Sequence, residues 1–201
     1  MDISNTPSAI VIFIATISIS LYTLYKNHRL LHAWILSPRR VYYDKQYHLV
    51  LTSGFLHADL MHLLFNMFTF FFFGFKLEAA IGTPNFLIIY FGSMILSVIS
   101  TILKKKDDYN YGSLGASGAI SGVVFASILI APNSKLMIMP LPIPIPAYIF
   151  GVLYLLWSYF AAKKSLDMIN HEAHFWGALA GVIFMIILIP GILSHFWYNI
   201  F

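Results

Sequence analysis

Six apolar stretches, each close to the length of a bilayer-spanning helix, constrain this chain more than any other feature of its sequence. They run over Ser8–Tyr25, Leu56–Phe75, Asn85–Leu103, Leu114–Ala131, Ile145–Ala162 and His171–Ile189. A spanning helix needs roughly 20 mostly apolar residues, and as few as about 17 suffice. Between the stretches lie turn and charge signals: Ser37-Pro38-Arg39-Arg40, Gly82-Thr83-Pro84-Asn85, the charged run from Lys104 to Tyr111, and Pro132-Asn133. Pro140, Pro142, Pro144 and Pro146 alternate with apolar residues, which rules out a helix there and favours an extended segment. The pattern predicts an all-α polytopic membrane protein, a bundle of six transmembrane helices.

Composition excludes the main alternative. Of the 201 residues only 10% are charged and 59% are apolar, against about 25% and about 45–50% in soluble domains. So few charges cannot solvate the surface of a soluble monomer. The net charge of +4 sits in short loops, where contact with anionic lipid headgroups accounts for it. No folded basic surface suggests nucleic acid as a partner. With no cysteine, disulfides, thiol catalysis and thiolate metal sites are excluded. The first apolar stretch has no basic residue before it and no small-x-small cleavage site after it, so it reads as a retained helix and not a signal peptide. The loop from Lys26 to Phe55 mixes aromatic and basic residues, as suits either a segment in the membrane interface or a plain extramembrane loop.

An even number of spans places both termini on one side. Nearly all Lys and Arg then fall on the opposite side, which the positive-inside rule assigns to the cytoplasm.

Polar side chains are costly inside a bilayer and mark candidate functional sites. In the second stretch, His62 and Asn66 are four residues apart and share one helix face. They form either a pair of hydrogen-bond donors aimed at a ligand or glue between helices. The fourth stretch opens Gly115-Ala116-Ser117-Gly118-Ala119, all small. A serine at a helix start lies beside unsatisfied N–H groups and the positive end of the dipole, where a developing oxyanion would be stabilised. The alternative is packing, since Gly118 and Gly122 form a GxxxG step. In the sixth stretch His174 stands just above a second such step, Gly177 and Gly181. Two glycine-faced helices entering from the same side would bring Ser117 and His174 to one depth, as a nucleophile and its base require. The alternatives for His174 are a structural histidine or a metal ligand with His171. The zinc pattern H-E-x-x-H is one residue longer than His171-Glu172-Ala173-His174. Asp44, Asp59, Asp107, Asp108 and Asp167 lie in loops or at helix ends, and Glu172 projects away from His174. A Ser–His dyad is therefore expected rather than a triad.

Taken together, His57-x4-His62-x3-Asn66, Gly115-Ala116-Ser117-Gly118 and Ala173-His174-x2-Gly177-x3-Gly181 resemble the motifs of the rhomboid intramembrane serine proteases, most of all the short bacterial six-helix type. Glu78-x3-Gly82 also resembles a family feature. The resemblance covers roughly Tyr43 to Ile189. It implies Ser117 as nucleophile, His174 as general base, and His62, Asn66 and the Ser117 N–H as oxyanion donors. It further implies His57, Gly115, Ala116, Gly118, Gly177 and Gly181 as supports of the site, and Phe65 and Trp157 as members of a gate. No cofactor and no metal are implied. The expected partners are transmembrane protein substrates and membrane lipids, in a bacterial plasma membrane. The resemblance implies an active site open to the outside, against the charge bias, and that orientation is adopted here. Domain boundaries are expected at 1–42 for the first helix and the start of the long loop, 43–190 for the protease core, and 191–201 for a tail. An inactive rhomboid-like binder of membrane proteins and a small transporter are the rival functions. Two departures stand out. Tyr47-His48 replaces the family's Trp-Arg in the first loop. Ser121 occupies the place one turn after the nucleophile where an aromatic residue often packs under the histidine ring. Because a base must be neutral, activity should fall in acid, below the ordinary imidazole value of about 6.5.

Overall fold

A computed structural model describes residues 5–138, 141–164 and 169–201. Pro140 and Asp167, weighed above, lie outside them. Helices dominate, in the order α1 (Pro7–Tyr25), α2 (His28–Trp34), α3 (Pro38–Tyr42), α4 (Leu49–Thr52), a 3-10 turn (Ser53–Phe55), α5 (Leu60–Ile81), α6 (Thr83–Lys105), α7 (Ser117–Ile130), α8 (Ala147–Lys164), α9 (His171–Leu188) and α10 (Ile192–Ile200). Between α7 and α8, the strands β1 (Lys135–Ile138) and β2 (Leu141–Pro146) pair antiparallel, with Lys135 opposite Pro146. The proline-alternating segment is thus extended, as its chemistry demands.

Beside the six expected spans the chain has further helices: ten are present among the described residues. The extra ones come from capping signals that hydropathy does not register. The Asn27 side chain accepts from the Leu30 N–H at 3.0 Å to start α2, Ser37 followed by Pro38 starts α3, and Gly191 (φ 81°) starts α10. Four helices, α1, α5, α6 and α9, are long and apolar enough to cross a membrane; α7 and α8 are shorter apolar helices. Boundaries shift too. The second apolar stretch becomes helical at Leu60, not Leu56, because the extended Asp59 accepts the His62 N–H at 2.7 Å as an N-cap. It continues past Phe75 to Ile81, where Gly82 (φ 78°) turns the chain. The fourth begins at Ser117, not Leu114. Ser113 pairs with Leu36 in an isolated β-bridge, and Gly115 has φ +119°.

Packing places α7 at the centre. Eleven of its fourteen residues are buried, the mark of a helix that is apolar all round and enclosed by others. The outward faces of α1, α5 and α9 carry exposed Val11, Ile14, Phe68, Ile183 and Ile187, a surface suited to lipid. At the end remote from Ser117, the fully buried Glu78 carboxylate accepts from Ser8 N–H at 3.1 Å, Ala9 N–H at 2.6 Å and Thr83 Oγ at 2.6 Å. A buried carboxylate is costly unless hydrogen-bonded. Here it clamps the positive end of α1 to the α5–α6 turn.

The length of α7 sets it apart. Fourteen residues rise roughly 21 Å, against a hydrocarbon core about 30 Å thick. It is thus shorter than the long apolar helices around it, such as the 22-residue α5 and the 23-residue α6.

Candidate active site

Two close contacts fix the heights of Ser117 and His174. On α9, the Asn170 side chain accepts the Ala173 N–H at 3.0 Å as N-cap and donates to Thr101 Oγ of α6 at 3.1 Å. That ties the start of α9 to α6. Below it, α7 and α9 meet backbone to backbone. A Cβ on Gly177 would fall inside the carbonyl of Gly118, and one on Gly181 inside that of Gly122. From the other side Ser97 and Ser93 of α6 press on Gly118 and Gly122 in the same way. Only hydrogen fits at these four positions, so the GxxxG steps are a three-helix seam.

Above the seam, His174 Nε2 and Ser117 Oγ are 2.8 Å apart, hydrogen-bond distance. Ser117 is the first residue of α7, so its N–H and the next two have no partner within the helix. Ile120 is the first to donate within this turn, to Ala116 at 2.9 Å. Ser117 and His174 are both partly accessible.

The remaining expected site residues gather around this pair. The His62 ring lies against Gly115 where a Cβ would sit, so that glycine is required twice, by its φ of +119° and by the ring. Asn66 is buried, and its amide donates to the His62 carbonyl at 2.9 Å. The second N–H of that amide stays available to a ligand. His57 is fully buried; its Nδ1 shares a hydrogen bond with Ser20 of α1 at 2.8 Å, and its ring meets His62 edge-on at 4.8 Å. Burial holds His57 neutral, with its pKa pushed down to about 3. Glu172 does turn away from the pair: it accepts from Ser100 at 2.6 Å and is bonded to Lys104, both of α6.

A cavity of about 240 Å³ lies among α5, α7, α8 and α9. It is walled by Phe65, Asn66, Ser117, Phe150, Tyr154 and His174, among others. The two expected gate residues part company here. Phe65 lines the cavity, 61% exposed. Trp157 is not in that wall and packs edge-on against His171 at 4.6 Å.

Tyr154 was not singled out by sequence. Its ring is nearly parallel to that of His174 (14°, centroids 6.5 Å apart), and its hydroxyl is 2.9 Å from Ser121 Oγ. A signal existed: Ala147, Gly151, Ser158 and Ala161 are buried at helical spacing, and Tyr154 is the one large residue in the middle of that face.

A hydroxyl and an imidazole in contact at a helix N-terminus and beside a cavity have the parts that acyl transfer needs. The family model described as the Rhomboid domain matches residues 44–191. The chain is similar to the putative rhomboid protease YdcA of Bacillus subtilis, 38% identical over 46% of this chain and 49% of that protein. It is also similar to the mitochondrial rhomboid protein 1 of Saccharomyces cerevisiae, 27% identical over 67% of this chain and 40% of that one. The human mitochondrial presenilin-associated rhomboid-like protein is 30% identical over 66% of this chain and 36% of its own length. The matched region thus spans half or less of each of these relatives.

Proposed function

The chain belongs to the rhomboid family, and on that premise we propose that it is an intramembrane serine endopeptidase working through a Ser117–His174 dyad. The observation that carries the proposal is the 2.8 Å contact between Oγ and Nε2 at the start of a buried 14-residue helix.

His174 takes the Ser117 proton as Oγ attacks the scissile carbonyl carbon. The carbonyl oxygen becomes an oxyanion, held by the Ser117 N–H, the His62 ring and the spare Asn66 N–H. The intermediate then collapses: the C–N bond breaks, and His174 returns its proton to the leaving amine. Water entering the cavity, deprotonated by His174, attacks the acyl-serine ester; the ester C–O bond breaks, the new carboxyl end leaves, and Ser117 regains its proton. His57 holds His62 in place, and the glycines hold the helices. No cofactor takes part.

The substrate is a membrane protein whose spanning helix unwinds readily near the surface, with small residues at the cut to pass the rim of Gly115 and Ala116. It enters past Phe65, between α5 and α8. In this reading α7 and α8 join the four long helices to make six spans in a bacterial plasma membrane.

Cleavage of a model transmembrane substrate in detergent tests the dyad. Ser117→Ala and His174→Ala should each lower kcat by about 10³-fold or more, and a fluorophosphonate should label the wild type but not Ser117→Ala. Cleavage that survives Ser117→Ala ends the proposal.

The site is proposed to face outward, as the resemblance implies. Against this stands the charge: every Lys and Arg except Lys76 and Lys135 lies towards the Ser117 end, which favours the cytoplasm. Because the chain lacks cysteine, single replacements report cleanly. In intact cells an impermeant maleimide should label Asn110→Cys and not Ser134→Cys; the reverse pattern inverts the orientation.

A further inference from the structure

We propose that Tyr154 of α8, anchored by Ser121, is the residue that holds the His174 ring in the orientation for proton transfer. The proposal rests on the serine protease reading above, and it concerns a contact made from a helix that carries neither dyad member.

The bond from His174 Nε2 to Ser117 Oγ aligns one edge of the imidazole, and the His171 ring meets it edge-on at 6.0 Å. Proton transfer needs the ring plane kept, because turning about the Cβ–Cγ bond carries Nε2 off the oxygen. A flat partner parallel to the ring restrains that rotation. Tyr154 supplies one, inclined by 14° at 6.5 Å, within the offset-stacked range of about 4.5–7 Å.

Tyr154 is itself held on several sides. Its hydroxyl shares the 2.9 Å hydrogen bond with Ser121 Oγ. Phe125 of α7 lies 5.6 Å away and Phe150 of α8 lies 5.7 Å away, centroid to centroid. Ser121 is four residues after Ser117 and therefore one turn below it on the same face of α7. A large side chain there would occupy the space Tyr154 enters; a hydroxymethyl leaves it open and provides a partner. A hydroxyl buried in apolar surroundings is costly when unpaired, and Ser121 and Tyr154 satisfy each other.

The face of α8 is built for the same purpose. Ala147, Gly151, Tyr154, Ser158 and Ala161 follow at steps of four, three, four and three, a single helical stripe. Four small residues let α8 approach the bundle, and Tyr154 alone projects from between them, to the place beside His174 that α7 leaves empty at Ser121.

The test measures kcat and KM for a model transmembrane substrate, the rate of fluorophosphonate labelling, and the unfolding midpoint in detergent. Tyr154→Leu should lower kcat and the labelling rate by roughly ten- to a hundredfold, the effect of misplacing a catalytic group by about 1 Å, with KM within about twofold of wild type. Tyr154→Phe keeps the ring and should recover most of the loss. The decisive variant moves the aromatic to the other helix: Ser121→Tyr added to Tyr154→Leu should raise kcat at least fivefold over Tyr154→Leu alone. A Tyr154→Leu enzyme with kcat within twofold of wild type overturns the proposal. So does a loss that neither Tyr154→Phe nor the relocated ring restores, because the residue then serves only the fold. A wild type that neither cleaves nor labels defeats the protease reading itself, a result distinct from an active wild type indifferent to position 154.

Discussion

The seam between α7 and α9 and the contact of α8 with the bundle are two different ways of holding a helix in a membrane. At the seam, backbone meets backbone. Gly118, Gly122, Gly177 and Gly181 leave no room for a methyl group, and the obstacle in the α7–α9 contact is a carbonyl. Along α8 the small residues meet side chains instead: a Cβ on Gly151 would lie 3.4 Å from Ile128 and 3.5 Å from Phe125, ordinary contact with groups that can yield. The outer face of α8 shows Leu153, Leu156, Trp157 and Phe160 to the surroundings, each more than half exposed. Without a hydrophobic drive between helices in lipid, close approach of small residues is what binds them. Ser117 and His174 therefore ride on the tightly bound pair, and the cavity beside them is bordered by the loosely bound helix.

The same replacement on either side breaks or sharpens this contrast. Gly181→Ala forces α9 off α7 and should cost at least the ~1–3 kcal/mol of ordinary overpacking, with cleavage lost as Ser117 and His174 separate. Unfolding in detergent and substrate cleavage both read it.

Acid should weaken a third joint next, between α1 and the start of α5. His57 joins α1 to the start of α5 and titrates at about 3 when folded, against about 6.5 unfolded. Below about 6.5 the unfolded chain binds a proton that the folded one refuses. The stabilisation is complete above that value and declines as pH falls towards 3, by at most ~1.4 kcal/mol per pH unit. Unfolding midpoints between pH 7 and 4 should show that slope, and His57→Gln should flatten it.

On α8, Gly151→Ala should raise stability by about 0.4–1 kcal/mol, since it adds helix propensity in tolerated space. If it instead destabilised as much as Gly181→Ala, the contrast would be gone. Leu153→Ala, on the outer face, should change stability by less than about 0.5 kcal/mol.

What the sequence made legible follows from the same physics. Membrane helices announce themselves by continuous apolarity, and a close seam by glycines four apart, so Ser117, His174, Gly177 and Gly181 stood out. The short helices of the first loop did not, because Asn27 and Ser37 act through single capping bonds that leave no trace in hydropathy. Asp59 moved the start of α5 by the same means. Tyr154 escaped for another reason. Its importance lies in meeting Ser121 and His174 from two other helices, and spacing along one helix cannot report a contact with a second. Ser121 leaves a gap on α7 where the resemblance leads one to expect a ring, and the ring that meets it comes from 33 residues away.

The clamp at Glu78 has a consequence for how the molecule is made. Its amide partners on α1 precede it by 70 and 69 residues, an interval of about 4–14 s at ordinary rates of synthesis. Throughout that time the first helix waits in the bilayer with its leading end unsecured. Closure of that end of the bundle is thus an act of the later helices returning to collect α1, and a ribosome stalled before position 78 leaves its leading end untied.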